Sequence, residues 1–327
     1  MHIRIKQFIR FSLAIAVLQM SVCVAYSQTL YGSIVGNVTD VSSQTIPNAT
    51  VIATNTQTGV STTVSANSVG DYEIRNLTPG IYRVQISATG FASVAVAGLD
   101  VQANVIARAD QHLNVASVDQ TIQVNASSSE LQTDSATIHG ELTATQLANM
   151  PIGGFNNYQS LLNLLPGATP SRFQNSVMDT PSRSLTTNIN GSSRNGNVTS
   201  VDGAAIQQVY LPHHTLYNPP TEDIQSVDVV TNSFTAEQGL AGGAIVSVLT
   251  KSGTNAFHDT FWEENTNSAL AARNYFYNKT YFSLAGNSAP KNILNQFGAN
   301  IGGPILHDKL FFFFSGFEGL SQRQLHP

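Results

Sequence analysis

Between residues 29 and 117 the chain consists of short segments in which apolar and polar residues alternate, separated by glycine, proline and asparagine. Alternation with a period of two is typical of β-strands that bury one face. Strands at intervals of ~8–12 residues with turns between them indicate a small β-sandwich. The predicted strands cover residues 34–40, 49–54, 70–74, 81–87, 94–96, 99–101 and 105–115.

Charge is scarce along the chain. Only 11% of the 327 residues are charged, against ~25% in an average soluble domain. The formal net charge is −5 at pH 7, whereas a nucleic-acid partner needs a concentrated basic surface. The composition therefore argues against nucleic-acid binding and suits β-structure with many turns.

The first 27 residues predict a signal peptide. Three basic residues precede an apolar stretch over residues 11–24, and small residues follow at Ala25 and Ser27. An apolar run of this length is shorter than the ~20 residues that span a bilayer as a helix, which disfavours a membrane anchor. We therefore expect cleavage after Ser27. The only cysteine, Cys23, lies inside this segment, so disulfides, thiol catalysis and cysteine-ligated metals are excluded for the mature chain.

Glycine, proline and aromatic residues recur in a fixed order within the predicted sandwich. They form Gly36-x-Val38-x-Asp40, Ile46-Pro47-Asn48-Ala49-x-Val51, Thr58-Gly59, Gly70-x-Tyr72, Leu77-x-Pro79-Gly80-x-Tyr82-x-Val84 and Gly90-Phe91. This order resembles the carboxypeptidase regulatory-like domain, a family similar to prealbumin and to carbohydrate-binding-like β-sandwiches. The family name refers to an accessory domain and implies no peptidase. We place this domain at residues 28–117.

Residues 127–255 mix short helices and strands, which indicates an α+β unit. Thr143 and Gln146 have the spacing of a capping box and predict a helix over residues 143–149. Two more short helices are predicted over residues 158–165 and 219–224. The predicted strands cover residues 186–190, 197–203, 227–231 and 243–250.

Several motifs in this unit match one family. They are Met150-Pro151-Ile152 with Asn156, Leu161-Leu162-x-Leu164-Leu165-Pro166-Gly167, Ile189-Asn190-Gly191, Val201-Asp202-Gly203, and two long runs over residues 224–239 and 242–255. This stretch resembles the plug domain of TonB-dependent outer-membrane receptors. With a carboxypeptidase regulatory-like domain ahead of it, the chain is similar to the Oar-like subfamily.

Aromatic residues concentrate in residues 256–327, which hold 10 of the 16 phenylalanines and the only tryptophan. Strands are predicted over residues 257–264, 296–301 and 310–317, with turns at 302–304 and 307–309. The motifs Asn295-Gln296-Phe297-Gly298, Gly302-Gly303-Pro304-Ile305 and Lys309-Leu310-Phe311-Phe312-Phe313 resemble the first barrel strands of Oar-like receptors. Transporter barrels of this kind have 22 strands, which need roughly 220 residues. We therefore expect an incomplete transmembrane β-barrel and a chain that is the N-terminal portion of a longer receptor.

No enzyme signature is found in the sequence, and the family implies no cofactor. His213 and His214 are adjacent, so in a strand they would point to opposite faces and make a poor metal pair. We therefore expect neither catalysis nor a metal site.

The resemblance implies a mechanism for the chain in the outer membrane of a Gram-negative bacterium. Substrate binds on the outer face and shifts the plug, and a periplasmic segment is then captured by TonB through strand addition. Residues 118–126 join sandwich and plug, and their centre, Thr121, Ile122, Gln123 and Val124, is extended and uncharged. We take these four residues as the candidate TonB box; the last strand of the sandwich and a plain linker are open alternatives. The expected partners are TonB, outer-membrane lipid and an unidentified extracellular substrate.

Loops of the plug are the candidate substrate contacts. The residues singled out are Arg194, Tyr210, His213, His214 and Tyr217. Nothing in these residues specifies an iron chelate, a glycan or a peptide. The alternative function is a secreted or surface carbohydrate-binding, adhesive protein in which the sandwich binds sugars. That function needs an exposed aromatic platform, whereas residues 29–117 contain no tryptophan.

Overall fold

The computed structural model describes residues 30–115, 121–125, 137–150, 152, 156–171, 183–234, 242–270 and 291–325, with side chains at all of them except 121–125, 291–292 and 317–325. The predicted signal peptide lies outside these residues. Three regions follow one another: a sandwich, a mixed unit and a three-stranded sheet. Within the described part, no helix combines the length and apolar character that crossing a membrane would require.

The N-terminal region is a two-sheet β-sandwich. One sheet has the order β4-β1-β7, with β8 also paired to β1, and the other has the order β3-β2-β5-β6-β9. The strands are β1 Gly32–Asp40, β2 Thr50–Asn55, β3 Ser61–Ser65, β4 Asp71–Leu77, β5 Gly80–Ser87, β6 Ser93–Val101, β7 Ile106–Arg108, β8 Gln111–Leu113 and β9 Thr121–Asn125.

The period-two pattern decides which side chains fill this core. Every second residue of β5 is buried, and Tyr82, Val84 and Ile86 of that strand are at most 3% exposed. Tyr72 of β4 is also buried, and its hydroxyl donates a hydrogen bond to the Ala109 carbonyl at 2.6 Å. The two tyrosines of the family motif therefore pack in the core and offer no platform to a sugar.

The prediction of one strand over residues 105–115 is wrong, because β7 and β8 are two short strands that pair in parallel with β1 on either side of a break. At the break, the Ala109 carbonyl accepts the Tyr72 hydroxyl, and the Asp110 carboxylate accepts the Asn37 N–H at 2.8 Å. Side-chain hydrogen bonds thus replace part of the regular backbone pairing with β1 at this break.

The second region is the predicted α+β unit. Its main sheet has the order β10-β15-β16-β13-β14, and β11 pairs with β12 beside it. The strands are β10 Ile138–Thr143, β11 Ala168–Pro170, β12 Thr187–Ile189, β13 Val198–Val201, β14 Ala204–Ala205, β15 Ile224–Asn232 and β16 Ile245–Thr250. One face of the sheet packs on a core that includes Leu142, Leu147, Leu162, Val227 and Val246.

The capping box predicts the first helix of this unit correctly. Helix α1 covers Ala144–Asn149; the Gln146 N–H donates to the Thr143 hydroxyl, and the Thr143 N–H donates to the Gln146 side chain at 2.9 Å. The other two predicted helices are 3₁₀-helices, at Tyr158–Leu164 and Thr221–Asp223. Their backbones form the tighter turns of a 3₁₀-helix, and both end at residues with extended backbone, Leu165 and Ile224.

The third region is an antiparallel sheet of β17 His258–Asn267, β18 Lys291–Leu306 and β19 Leu310–Leu325. The predicted turn at Gly302-Gly303-Pro304 is wrong, because these residues continue β18 and pair with Phe311 to Phe313 of β19. A Cβ atom on Gly303 would lie 2.4 Å from the Phe257 ring. These glycines therefore make room for aromatic rings, and the chain reverses only at residues 307–309.

Asn255 connects all three regions at one end of this sheet. Its side-chain amide donates to the Thr58 carbonyl at 2.8 Å and to the Asp308 carboxylate at 2.7 Å. Its backbone N–H donates to the Gln57 carbonyl at 3.0 Å. The β2–β3 turn of the sandwich thus contacts the β18–β19 turn through the segment that leaves the α+β unit.

Candidate functional site

The candidate TonB box forms a strand. Residues Thr121–Asn125 are β9, which pairs in parallel with β6 from Ser93↔Thr121 to Ala97↔Asn125. Of the open alternatives, the structure therefore shows a strand of the sandwich sheet in place of a plain linker. Strand β9 lies at the edge of that sheet, so one side of its backbone has no neighbouring strand in the described structure. An extended edge segment of this kind has the geometry that strand addition requires.

A buried carboxylate joins the α+β unit to the three-stranded sheet. Asp223, at the end of a 3₁₀-helix, is 3% exposed. Its carboxylate accepts the Asn300 side-chain amide of β18 at 2.8 Å and the Ser315 hydroxyl of β19. One acceptor thus holds two strands of the sheet. Hydrogen bonds to a charged group are stronger than neutral ones, so this contact fixes the position of the unit against the sheet.

A second polar contact lies four residues earlier in β18. The Gln296 side-chain carbonyl accepts the Asn156 backbone N–H at 3.0 Å. The Asn156 side chain donates to the Glu222 carboxylate at 3.0 Å and accepts the Thr221 hydroxyl at 2.9 Å. Gln296 and Asn300 are both at most 3% exposed. Gln296 and Asn300 of β18 are therefore buried against the α+β unit, and each makes a hydrogen bond to it.

Residues 206–217 form a loop with an exposed tip. Val209 is 86% exposed and Tyr210 is 92% exposed. The base of the loop is ordered by hydrogen bonds from the Gln208 N–H to the His214 carbonyl and from the Leu216 N–H to the Ile206 carbonyl. Tyr210 thus projects from a fixed base, and Tyr217, at 49% exposure, lies at the far end of the loop.

His213 and His214 are not in a strand, contrary to the assumption behind the sequence argument. Both lie where the loop turns back, and their ring centroids are 4.5 Å apart with a 48° angle between the planes. The two rings therefore meet instead of pointing to opposite faces. Within the described residues, no three histidine, cysteine, aspartate or glutamate side chains converge closely enough to hold a metal ion.

Arg194 lies in the wall of a cleft of about 620 Å³ that is lined by Thr169, Asn188, Ser192, Ser193 and neighbouring residues. The residue is only 8% exposed, and its guanidinium donates to the Leu185 carbonyl at 3.0 Å. Burial lowers the pKa of Arg194. Arg194 is thus buried and hydrogen-bonded to the backbone, whereas Tyr210 is exposed. That either residue contacts a substrate remains a prediction.

Two carboxyl groups face each other on the main sheet of the α+β unit. Glu141 of β10 and Asp228 of β15 are directly opposite in the register. Asp228 is 3% exposed, and among the described residues neither of its oxygens accepts a well-formed hydrogen bond. Burial and the nearby Glu141 raise the pKa of Asp228 to about 7. Burial and the charge of Asp100, at the end of β6, raise the pKa of Glu141 to about 7.

This pair predicts an unusual dependence of stability on pH. A carboxyl group whose pKa is higher in the folded than in the unfolded chain binds more protons when folded. Stability should then fall as pH rises from about 4 to about 7, by up to about 1.4 kcal/mol per pH unit for Asp228. We expect Asp228→Asn to flatten this slope and to be more stable than the wild type at pH 8. Denaturant unfolding of the full chain in detergent at pH 5 to 8 measures how the free energy of unfolding depends on pH.

The matched control is Asp259→Asn, because Asp259 is exposed on β17. That variant should keep the wild-type slope. If Asp228→Asn and the wild type showed the same pH dependence, the carboxyl pair would not be protonated in the folded protein.

Sequence reasoning missed Asp223 and Asp228 as functional residues. The sequence does mark Asp228, because its carboxylate interrupts the apolar residues Val227, Val229 and Val230 of a predicted strand. Nothing in the sequence marks Asp223 as a buried residue, because a carboxylate after two prolines is typical of the exposed start of a helix. Its partners lie 77 and 92 residues further along the chain.

Three family models match the chain in succession. The carboxypeptidase regulatory-like domain matches residues 33–114, the TonB-dependent receptor plug domain matches residues 132–245, and an outer membrane β-barrel domain matches residues 249–326. The α+β unit is therefore the plug, and the three-stranded sheet belongs to a barrel wall.

A curated relative matches along nearly the whole chain. The TonB-dependent transporter Oar of Myxococcus xanthus is 26% identical over 316 residues, which cover 91% of this chain and 28% of the transporter. The chain thus spans little more than a quarter of the length of that relative.

Solved structures show only partial likeness. The siderophore receptor PirA of Acinetobacter baumannii has a TM-score of 0.39 at 18% identity, covering 57% of this chain and 24% of the receptor. The ferric enterobactin receptor PfeA of Pseudomonas aeruginosa has a TM-score of 0.35 at 15% identity, covering 51% and 22%. A hydroxyquinol 1,2-dioxygenase of Pseudomonas putida has a TM-score of 0.23 at 10% identity, covering 28% and 59%. Scores this low carry no argument about function.

The domain matches have the order that the sequence motifs predict, and the match to part of the Oar transporter covers 91% of the chain. Domain by domain, the chain is therefore similar to TonB-dependent outer-membrane receptors, and it has the domain order of the Oar-like kind.

Proposed function

We propose that the protein carrying this chain takes up a substrate across the outer membrane of a Gram-negative bacterium, with work supplied by TonB. The observation that carries the proposal is strand β9, an extended edge segment between the sandwich and the plug. TonB captures residues 121–125 by adding a strand to them through main-chain hydrogen bonds. The signal peptide over residues 1–27 directs the export.

The exposed loop of the plug contacts the substrate in this proposal. Tyr210 and Tyr217 offer aromatic surface, and His213 and His214 offer two adjacent imidazoles. Arg194 lines the neighbouring cleft. Substrate binding displaces the plug relative to the barrel wall, and the hydrogen bonds of Asp223 to Asn300 and Ser315 resist that displacement.

Retention on TonB tests the proposal. The full chain, solubilised from membranes, is passed over the immobilised periplasmic domain of TonB beside a variant that lacks residues 121–125. We expect the wild type to be retained and the deletion variant to pass through. Equal retention of the two proteins would place the TonB contact elsewhere in the chain, and retention of neither would count against the proposed function.

A further inference from the structure

The β2–β3 turn of the sandwich is held in shape by one buried residue, Asn55. The Asn55 side-chain carbonyl accepts the Gln57 N–H at 2.9 Å and the Thr58 N–H at 3.1 Å. The Asn55 backbone N–H donates to the Val60 carbonyl, and the Gly59 N–H donates to the Asn55 carbonyl, both at 2.9 Å. The carbonyl groups of the turn therefore have fixed positions before they meet any partner.

Asn255 binds this turn and the β18–β19 turn at the same time. Its backbone N–H donates to the Gln57 carbonyl at 3.0 Å, and its side-chain amide donates to the Thr58 carbonyl at 2.8 Å. The same amide donates to the Asp308 carboxylate at 2.7 Å, and the Asn255 side-chain carbonyl accepts the Asp308 N–H at 2.9 Å. Asn255 thus uses its backbone donor and both ends of its amide to join the two turns.

The segment that carries Asn255 lies directly on the barrel wall, although it follows the last strand of the plug. A Cβ atom on Gly253 would collide with the Phe312 carbonyl of β19 and would lie 2.7 Å from the Gly303 carbonyl of β18. Real Cβ atoms do not approach other atoms so closely, so only a glycine allows this backbone contact. Asn255 is therefore fixed to the wall from both sides, by Gly253 behind it and by Asp308 in front.

Gly59 lets the sandwich approach the wall. Its backbone is left-handed, with a φ of +72°, a conformation that favours glycine. A Cβ atom at this position would also collide with the Asp308 carboxylate. The two turns are thus in contact with no side chain between them.

The hydrogen bonds between the sandwich and the plug are of a different kind. Gln102 donates from its side-chain amide to the Glu141 carboxylate, and Gln225 donates from its side-chain amide to the Pro79 carbonyl at 3.4 Å. The second distance is long for a hydrogen bond, and both donors end long side chains that lose rotamer freedom in the contact. Burial and the charge of Asp100 on β6 raise the pKa of Glu141 to about 7, so the two carboxylates repel each other where sandwich and plug meet.

We infer that the barrel wall, through Asn255, sets the position of the sandwich, so that the plug can shift without carrying the sandwich with it. The wall contact joins fixed backbone groups, whereas the plug contact joins the ends of long side chains. When the plug is displaced, the separation therefore runs between sandwich and plug. The anchoring goes beyond the proposed function, because it exists whether or not TonB engages the chain.

A distance measurement in the full chain tests the anchoring. Spin labels are attached at Val41→Cys in the sandwich and Asp259→Cys on β17, both of which are exposed. The native cysteine, Cys23, is replaced by serine. Pulsed electron–electron double resonance in detergent then gives the distribution of distances between sandwich and wall. We expect a single narrow peak.

Two substitutions at Asn255 should each abolish that narrow peak. Asn255→Ala removes the whole amide. Asn255→Asp keeps the size of the side chain but places a carboxylate against the Thr58 carbonyl and the Asp308 carboxylate, where the native side chain donates. The aspartate variant decides the matter if the alanine variant does not fold.

Two matched controls should keep the narrow peak. Gln102→Ala removes a contact of the sandwich with the plug and leaves its contact with the wall. Asn265→Ala removes an exposed amide from β17 that bonds only within the sheet, to Asn295.

Three results would overturn the anchoring. They are a broad distribution in the chain with native Asn255, a narrow peak that survives Asn255→Asp, and a narrow peak that is lost in Gln102→Ala. None of them bears on the proposed function, because TonB is absent from the measurement and the retention experiment tests its binding separately.

Discussion

Replacing Ile122 by proline in a peptide of residues 118–130 should weaken binding to the TonB periplasmic domain by about tenfold or more. Proline removes one main-chain donor, and its ring disturbs the pairing of the neighbouring residues. The loss of a single main-chain hydrogen bond costs about 1 kcal/mol, and tenfold corresponds to about 1.4 kcal/mol. Fluorescence anisotropy of the labelled peptide measures the affinity.

The matched control for this peptide is Ser129→Pro, four residues beyond the end of β9. It introduces the same ring outside the segment and should leave the affinity unchanged. Equal affinities for the Ile122→Pro and wild-type peptides would exclude Ile122 from the captured strand. An isolated peptide is the appropriate form here, because in the full chain the same substitution also weakens the pairing with β6.

Replacing Asp223 by alanine should destabilise the contact between the plug and the barrel wall by about 3 kcal/mol or more. The substitution removes the acceptor for the Asn300 amide and the Ser315 hydroxyl. Each hydrogen bond to a charged group contributes about 1.5–3 kcal/mol, and the Asn300 side chain is left buried with fewer partners. The free energy of unfolding, measured with denaturant in detergent, should fall accordingly.

Asp259→Ala is the matched control for that loss, since it removes an exposed carboxylate from the three-stranded sheet that Asp223 contacts. Surface substitutions of this kind usually change stability by less than about 0.5 kcal/mol. If Asp223→Ala were as stable as Asp259→Ala, the buried carboxylate would not be holding the plug.

The sandwich was largely predictable, because its strands bury one face and its turns need particular residues. The alternation in residues 81–87 predicts the buried set of β5, and the left-handed backbone of Gly80 and Gly90 fits the predicted turns. Strand β3 was not predicted, because Ser61–Ser65 is mostly exposed and carries no apolar alternation. Its strand conformation comes from pairing with β2.

The barrel-wall strands were predicted too short for a related reason. Strand β18 runs for 16 residues, and its polar residues Gln296 and Asn300 face the plug instead of an apolar core. The predicted strand covers only residues 296–301, because residues 291–295 carry no regular alternation of apolar and polar side chains. The sequence predicts a turn at Gly302 and Gly303, because their packing against Phe257 and Phe313 depends on partners that only the sheet register brings together.

The candidate site, too, was only partly predictable from the sequence. The segment at residues 121–125 is visible in the sequence because it is local, extended and uncharged, whereas its pairing with β6 depends on the topology of the sandwich. The Glu141–Asp228 pair and the contacts of Asp223 join residues that are at least 77 positions apart in the chain. No local pattern brings such residues together.

Photocrosslinking from position 122 in intact cells tests the central claim most directly. A photoreactive residue replaces Ile122 in one strain and Val41, which is exposed in the turn after β1, in another. The account predicts that the chain is recovered in the outer-membrane fraction and that it forms a covalent adduct with TonB from position 122 but not from position 41. Recovery of the chain only in the medium, or no adduct from position 122, would contradict it.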